Sequence, residues 1–69
     1  MPLSVIISSR RKTLGISQND LAEMSGVSLA TIKNIERGAG NPSLETVEKI
    51  LAVLGLEIQF KVRNPFDKQ

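Results

Sequence analysis

The 69-residue chain contains no cysteine and no histidine, and these absences narrow the chemistry open to it. Without cysteine it has neither a disulfide framework nor a thiolate metal site. Without histidine it lacks the commonest general base and the commonest metal ligand. Catalysis would fall to scattered carboxylates and lysines that form no recognisable pair. We therefore expect a binding domain rather than an enzyme, with no metal and no cofactor.

Long apolar runs are also missing from the sequence. No apolar stretch approaches the roughly 18 residues that a membrane-spanning helix needs. The start, from Met1 to Ser4, lacks the basic and then apolar regions of a secretory signal. We expect a cytoplasmic protein that does not bind membranes. A domain this small buries only about 60% of its unfolded surface, so we also expect a partner chain to contribute to its stability.

The charge is modestly positive, with nine basic and seven acidic residues and a net charge of +2. The basic residues cluster: Arg10, Arg11 and Lys12 are contiguous, and Lys33 and Arg37 lie four positions apart. A positive face suits a polyanion such as a nucleic acid. Many domains have this balance by chance, so charge alone does not decide the function.

Serine and glycine divide most of the chain into helical segments. Apolar residues recur at helical spacing, which predicts four short helices at about 4–14, 18–25, 29–37 and 44–54. A serine precedes each pattern as the expected N-cap: Ser4, Ser17, Ser28 and Ser43. Ser17 and Asp20 have the spacing of a capping box. Glycines stand where the patterns stop, which suits left-handed residues after the helix ends.

The pattern changes after Gly55. Apolar residues then alternate with polar ones, which predicts a half-buried strand over 56–63. Its apolar residues are Leu56, Ile58, Phe60 and Val62. No other segment alternates, so we expect this strand to pair with the same strand of a second copy about a two-fold axis. The alternative is that these residues pack only against the core of their own chain and form no dimer interface. Residues 64–69 are expected to be a frayed tail.

Residues 18–37 form one unit of two short helices around a turn at Gly26. Ala22 is small where the helices must cross, and Val27, Ile32 and Ile35 are expected to face inward. Two helices crossing steeply over a tight turn form a helix-turn-helix. The outer face of its second helix then projects from the body at a width that fits the DNA major groove.

These residues resemble the phage-repressor (Cro-like, or XRE) helix-turn-helix family. Gln18, Ala22, Gly26, Ile32 and Ile35 match its motif, and the flanking segments 15–18, 35–38 and 41–45 agree with it over about residues 3–55. The resemblance implies an all-α, lambda-repressor-like domain of four short helices at 1–55, followed by the C-terminal strand. Ser25 departs from the family pattern, which has an apolar residue there.

The C-terminal segment is similar to that of HipB-type antitoxins. In that subfamily the C-terminal strands of two subunits pair, and the dimer represses an operon on a palindromic operator. The resemblance implies a homodimer, double-stranded DNA and a HipA-type kinase toxin as partners. Two alternatives remain: a stand-alone XRE-type regulator, and a protein-interaction module that chiefly neutralises a kinase-like toxin.

Four residues are predicted on the exposed side of the second motif helix, opposite Ile32 and Ile35: Leu29, Ala30, Lys33 and Asn34. Asn34 suits adenine, and Lys33 suits guanine or a phosphate. Leu29 and Ala30 suit a thymine methyl group. A single exposed leucine is also common on protein surfaces without any function.

Other residues are predicted to bind the DNA backbone. Gln18 and the loop residue Arg37 suit phosphates, and Ser28 is a cap that can also touch DNA. Thr31 supports the backbone contact at the groove edge. The resemblance implies that Arg11 forms a partly buried ion pair with Glu36 that orients the arginine towards DNA. Arg10 and Lys12 are expected to be solvated.

Overall fold

The computed structural model describes residues 2–66 and contains four helices: α1 (Leu3–Thr13), α2 (Gln18–Ser25), α3 (Leu29–Glu36) and α4 (Leu44–Val53). The prediction of four short helices is confirmed, with bounds that differ by at most one residue. None of the described helices has the length and apolarity required to cross a membrane.

Three of the four predicted serine caps form. The hydroxyls of Ser17, Ser28 and Ser43 each accept a hydrogen bond from the backbone N–H three residues later. Ser17 and Asp20 complete the predicted capping box, and hydrogen bonds from Ser17 lower the pKa of the Asp20 carboxyl. Each serine thus satisfies a donor that the first turn of a helix leaves free.

The prediction that Ser4 caps α1 is wrong. The N-cap is Pro2, which has extended backbone angles and makes no side-chain cap bond. Its carbonyl accepts from the N–H groups of both Val5 and Ile6, at 3.1 Å each. The helix therefore begins at Leu3, and Ser4 already lies inside its first turn.

The end of α3 shows how glycine terminates these helices. Gly38 has a φ of 74°, and its N–H donates to the carbonyl of Ile35 at 3.0 Å. The next N–H, of Ala39, donates to the carbonyl of Asn34 at 2.8 Å. These two bonds form a Schellman motif, which needs the left-handed conformation that glycine adopts without steric cost.

The core is small and draws on all four helices. α2 packs on α3 and α4, and α1 packs on α3. The fully buried side chains are those of Ile7, Leu21, Ile32, Ile50 and Leu54. Ala22 and Ile35 are also buried, as the helix-turn-helix pattern predicted. With so few large buried residues, the position of α3 rests on polar contacts as well.

The C-terminal segment, residues 56–64, forms no strand within the single chain that the structure describes. Leu56 and Ile58 are half-buried and pack on the core, whereas Phe60 and Val62 are exposed. The strand prediction is therefore not confirmed, because a strand needs a partner that the described residues do not supply. The predicted fraying of 64–69 stays a prediction, and residues 67–69 lie outside the described residues.

Candidate nucleic-acid interface

The turn between α2 and α3 sets the direction of the second helix. Gly26 has a φ of 72°, and its N–H donates to the carbonyl of Ala22 at 3.0 Å. The hydroxyl of Ser25 accepts from the N–H of Val27 at 3.2 Å. An apolar residue at position 25 cannot make this bond, so the departure from the family pattern adds a polar contact to the turn.

The two faces of α3 differ as the motif predicts. Ile32 and Ile35 are buried in the core. Ala30 and Lys33 are exposed on the opposite side, and Asn34 is half-buried beside them. A helix that anchors one face and leaves small and polar side chains on the other presents a surface that can enter a groove.

Leu29 does not lie on the exposed side of α3 as predicted. It is half-buried and packs against the core. The reason is helical spacing: Leu29 stands three residues before Ile32, so the two side chains share a face. Contact with a thymine methyl group remains a prediction for the part of Leu29 that is exposed.

The N-terminus of α3 is held by Ser28 and Thr31. The hydroxyl of Ser28 accepts from the N–H of Thr31 at 3.2 Å and donates to the Thr31 hydroxyl at 2.9 Å. The prediction that Ser28 is a cap is confirmed. DNA contacts by Ser28 and Thr31 stay predictions; their side chains lie at the helix end that bears the partial positive charge.

Arg11 and Glu36 form the ion pair that the family resemblance implies. Arg11 Nε lies 2.7 Å from Glu36 Oε2, and Arg11 Nη2 lies 2.8 Å from Oε1. Arg11 also donates to the carbonyl of Ile16 at 3.0 Å. The side chains are only 12% and 7% exposed. This bidentate and mostly buried ion pair therefore joins α1 to the last turn of α3.

The pair changes the ionisation of both groups. The hydrogen bond from Arg11 lowers the pKa of the Glu36 carboxyl, against a smaller opposing effect of burial. The hydrogen bond to Glu36 raises the pKa of the Arg11 guanidinium. The two shifts agree in direction, since each favours the charged forms that attract one another.

Gln18 belongs to the same cluster, which the sequence did not indicate. Its amide nitrogen donates to Glu36 Oε1 at 3.2 Å. Gln18 is half-buried at the first position of α2. The carboxylate thus holds the amide in one orientation and leaves its second N–H for another acceptor. The predicted phosphate contact of Gln18 is compatible with this arrangement and stays a prediction.

Asn34 and Arg37 are joined at the other end of α3. The guanidinium of Arg37 donates to Asn34 Oδ1. Both residues were predicted site residues, but the bond between them was not predicted. Bidentate contact with adenine needs both the oxygen and the nitrogen of the Asn34 amide. In this arrangement only the amide N–H groups are free, so the pair favours acceptor atoms on DNA.

Arg10 is not the solvated residue that we expected. Its Nε donates to the carbonyl of Leu54 at 2.9 Å, at the C-terminal end of α4. The last carbonyls of a helix have no partner within the helix, and a cation there also meets the negative end of its dipole. Lys12, by contrast, is exposed as expected.

Comparison with known proteins agrees with this geometry. A helix-turn-helix family model matches residues 7–61. The chain is 52% identical over 50 residues to an HTH-type transcriptional regulator of Haemophilus influenzae, covering 72% of this chain and 50% of that protein. It is 40% identical over 55 residues to one of Methanothermobacter thermautotrophicus, with 80% of each covered. It is 40% identical over 53 residues to SinR of Bacillus subtilis, an HTH-type transcriptional regulator, covering 75% of this chain and 48% of SinR. The chain thus spans about half the length of the Haemophilus and Bacillus relatives.

Proposed function

Because the chain belongs to the XRE-type helix-turn-helix family of DNA-binding regulators, we propose that it is a sequence-specific repressor that binds its operator as a dimer. The observation that carries this proposal is the difference between the two faces of α3. Ile32 and Ile35 are buried, while Ala30 and Lys33 project from the opposite side. That outer side has the width and polarity that suit the major groove.

The proposed mechanism separates base contacts from backbone contacts. Lys33 donates to guanine or to a phosphate, Asn34 donates its amide hydrogens to a base edge, and Ala30 packs on a thymine methyl group. Gln18 and Arg37 bind phosphates on either side and fix the position of α3. Glu36 and Arg11 touch no base in this mechanism; they hold Gln18 and α3 in place.

The proposed dimer forms through the C-terminal segment. Phe60 is 82% exposed and Val62 is fully exposed, which is costly for apolar side chains in so small a domain. Pairing of two such segments about a two-fold axis covers them. Two copies then place their recognition helices about 34 Å apart, on a near-palindromic operator.

A second candidate function is that of a HipB-like antitoxin that also binds a HipA-type kinase toxin. The observation that favours it is the apolar tail, since Phe66 is exposed like Phe60. Exposed aromatic side chains are typical of protein–protein contacts. Co-purification with the product of the neighbouring gene distinguishes the antitoxin from a stand-alone regulator, because only the antitoxin forms that complex.

The direct test is selection of bound sequences from random duplex DNA. We expect a winning site with two-fold symmetry, and affinity that falls steeply with salt. Lys33→Ala and Asn34→Ala should each weaken the selected site by about 1–3 kcal/mol and random DNA by less, whereas Gln18→Ala should weaken both alike. Lys49→Ala, which removes a lysine from α4, is the matched charge control. Equal losses on both kinds of DNA for Lys33→Ala would contradict base recognition.

A further inference from the structure

The backbone of the C-terminal segment is available for pairing. Leu56 donates its N–H to the carbonyl of Leu51 at 2.9 Å, where the chain leaves α4. From Glu57 to Arg63 the backbone makes no backbone hydrogen bond to any of residues 2–66. The amide of Gln59 donates to the carboxylate of Glu57 at 3.1 Å, so these two side chains share one side of the segment. Side chains two residues apart share a side in an extended strand.

The residues of this segment are symmetric in character about Gln59. One step away on either side stand Ile58 and Phe60, both apolar. Two steps away stand Glu57 and Lys61, of opposite charge. Three steps away stand Leu56 and Val62, again apolar. An antiparallel pair of identical strands places residues at equal distances from the two-fold axis opposite one another.

We propose that two copies pair their C-terminal segments as antiparallel strands with the two-fold axis at Gln59. This inference rests on the proposed dimer and specifies its register. Glu57 of each copy then faces Lys61 of the other, which makes two opposite-charge pairs. Ile58 faces Phe60 of the other copy, and Leu56 faces Val62. A shift of the axis to Phe60 keeps one opposite-charge pair, Glu57 with Arg63, and one apolar pair, Ile58 with Val62. It places the apolar Leu56 opposite Asn64 and leaves Lys61 opposite the uncharged Gln59, so the axis at Gln59 gives the more complete match.

A groove beside the C-terminal segment lies where the proposed second strand would pass. It has a volume of about 350 Å³ and lies between α4 and the C-terminal segment. Its lining residues are Glu48, Leu51, Leu56, Glu57, Ile58 and Phe60. The proposed register sets Phe60 and Val62 of the other copy beside Ile58 and Leu56. The side chains that are exposed in one copy thus cover the half-buried ones of the other, and Lys61 of each copy meets Glu57 of the other.

Disulfide trapping tests the register directly, because the chain contains no cysteine of its own. Gln59→Cys should oxidise readily to a covalent dimer, since opposed strand residues have the Cα separation that a disulfide needs. Glu57→Cys is the matched control. Its two copies lie four strand positions apart, about 13 Å, and should not cross-link. Equal or faster cross-linking of Glu57→Cys would overturn the register.

Charge exchange is an independent test that needs no oxidation. Glu57→Lys and Lys61→Glu each create two like-charge pairs per dimer, and each should raise the dissociation constant of the dimer roughly tenfold. The variant that carries both substitutions restores opposite charges and should return to within about twofold of the original. With the axis at Phe60, Glu57 faces Arg63, and the double variant does not recover.

The oligomeric state of the chain distinguishes a wrong strand register from a wrong dimer. Sedimentation measures the oligomeric state of the unmodified chain, with and without its selected DNA. A chain that binds a single half-site as a monomer refutes both the dimer and the register. A stable dimer in which Gln59→Cys fails to cross-link, or in which the charge exchange fails to recover, refutes only the register.

Discussion

Replacing Glu36 with glutamine should destabilise the protein by about 2 kcal/mol. Exposed ion pairs contribute about 0–1 kcal/mol, and removing one partner of a fully buried pair costs about 3–5 kcal/mol. The Arg11–Glu36 pair lies between these limits: its side chains are 12% and 7% exposed, and Arg11 keeps its bond to the Ile16 carbonyl. For a domain of this size, about 2 kcal/mol corresponds to a fall in Tm of roughly 8–16 °C.

The pH dependence of this destabilisation shows whether it comes from the lost negative charge or from altered packing around residue 36. The pKa of Glu36 is held below its ordinary value of 4.5, so the pair contributes fully at pH values above this. The contribution is lost as the pH falls through the lower pKa of the folded state. We therefore expect the difference in stability between the unmodified chain and Glu36→Gln to be constant near neutral pH and to shrink in acid.

Urea unfolding followed by circular dichroism measures this difference at each pH. Glu45→Gln is the control, because Glu45 and Lys49 form an exposed pair at 3.5 Å, with side chains 82% and 54% exposed. That substitution should change the free energy of unfolding by less than about 0.5 kcal/mol. If Glu36→Gln proves as harmless as Glu45→Gln, or if its effect persists unchanged in acid, the charged Arg11–Glu36 pair does not stabilise the folded chain.

Three further predictions concern other contacts. Arg10→Ala should cost about 1–3 kcal/mol in urea unfolding, because the Leu54 carbonyl loses its donor, while Lys12→Ala should be near neutral. Gly26→Ala should lower the free energy of unfolding by about 1 kcal/mol, because alanine is strained at a φ of 72°. No steric clash adds to this strain, since nothing lies within 4 Å of the added Cβ. A neutral result would mean that the turn relaxes. Phe60→Asp should shift the chain to monomer in size-exclusion chromatography, and an unchanged dimer would contradict the strand pairing.

The local rules of the fold were predictable from sequence. Ser17, Ser28 and Ser43 cap helices because a serine oxygen needs only a free N–H three residues later. Glycines end the helices because the left-handed conformation is a local requirement. Ser4 failed as a cap because Pro2 accepts the first helical bonds instead. These successes and this failure all involve residues within a few positions of one another.

Contacts between distant residues were not predictable from the same rules. Arg10 and Leu54 are 44 positions apart, and nothing near Arg10 in the sequence marks its acceptor. Gln18 and Glu36 meet only because α2 and α3 cross. The Arg11–Glu36 pair was anticipated through the family resemblance alone. The prediction for Leu29 is wrong because this residue lies three positions before Ile32 and so shares the buried face of α3.

The roles of the first basic cluster have a measurable consequence for DNA binding. The sequence places Arg10, Arg11 and Lys12 together, but the first two guanidinium groups are bound to the Leu54 carbonyl and to Glu36. Lys12, Lys33 and Arg37 are exposed and form no ion pair with any carboxylate among residues 2–66.

If these three cations bind phosphates in each subunit, a dimer neutralises about six phosphates, and the logarithm of its affinity should fall with the logarithm of salt concentration with a slope of about −5. Full participation of Arg10 and Arg11 would steepen the slope to about −9. Titration of the selected operator at several salt concentrations, by fluorescence anisotropy, distinguishes the two values. A slope near −9 would contradict the restriction of phosphate binding to Lys12, Lys33 and Arg37.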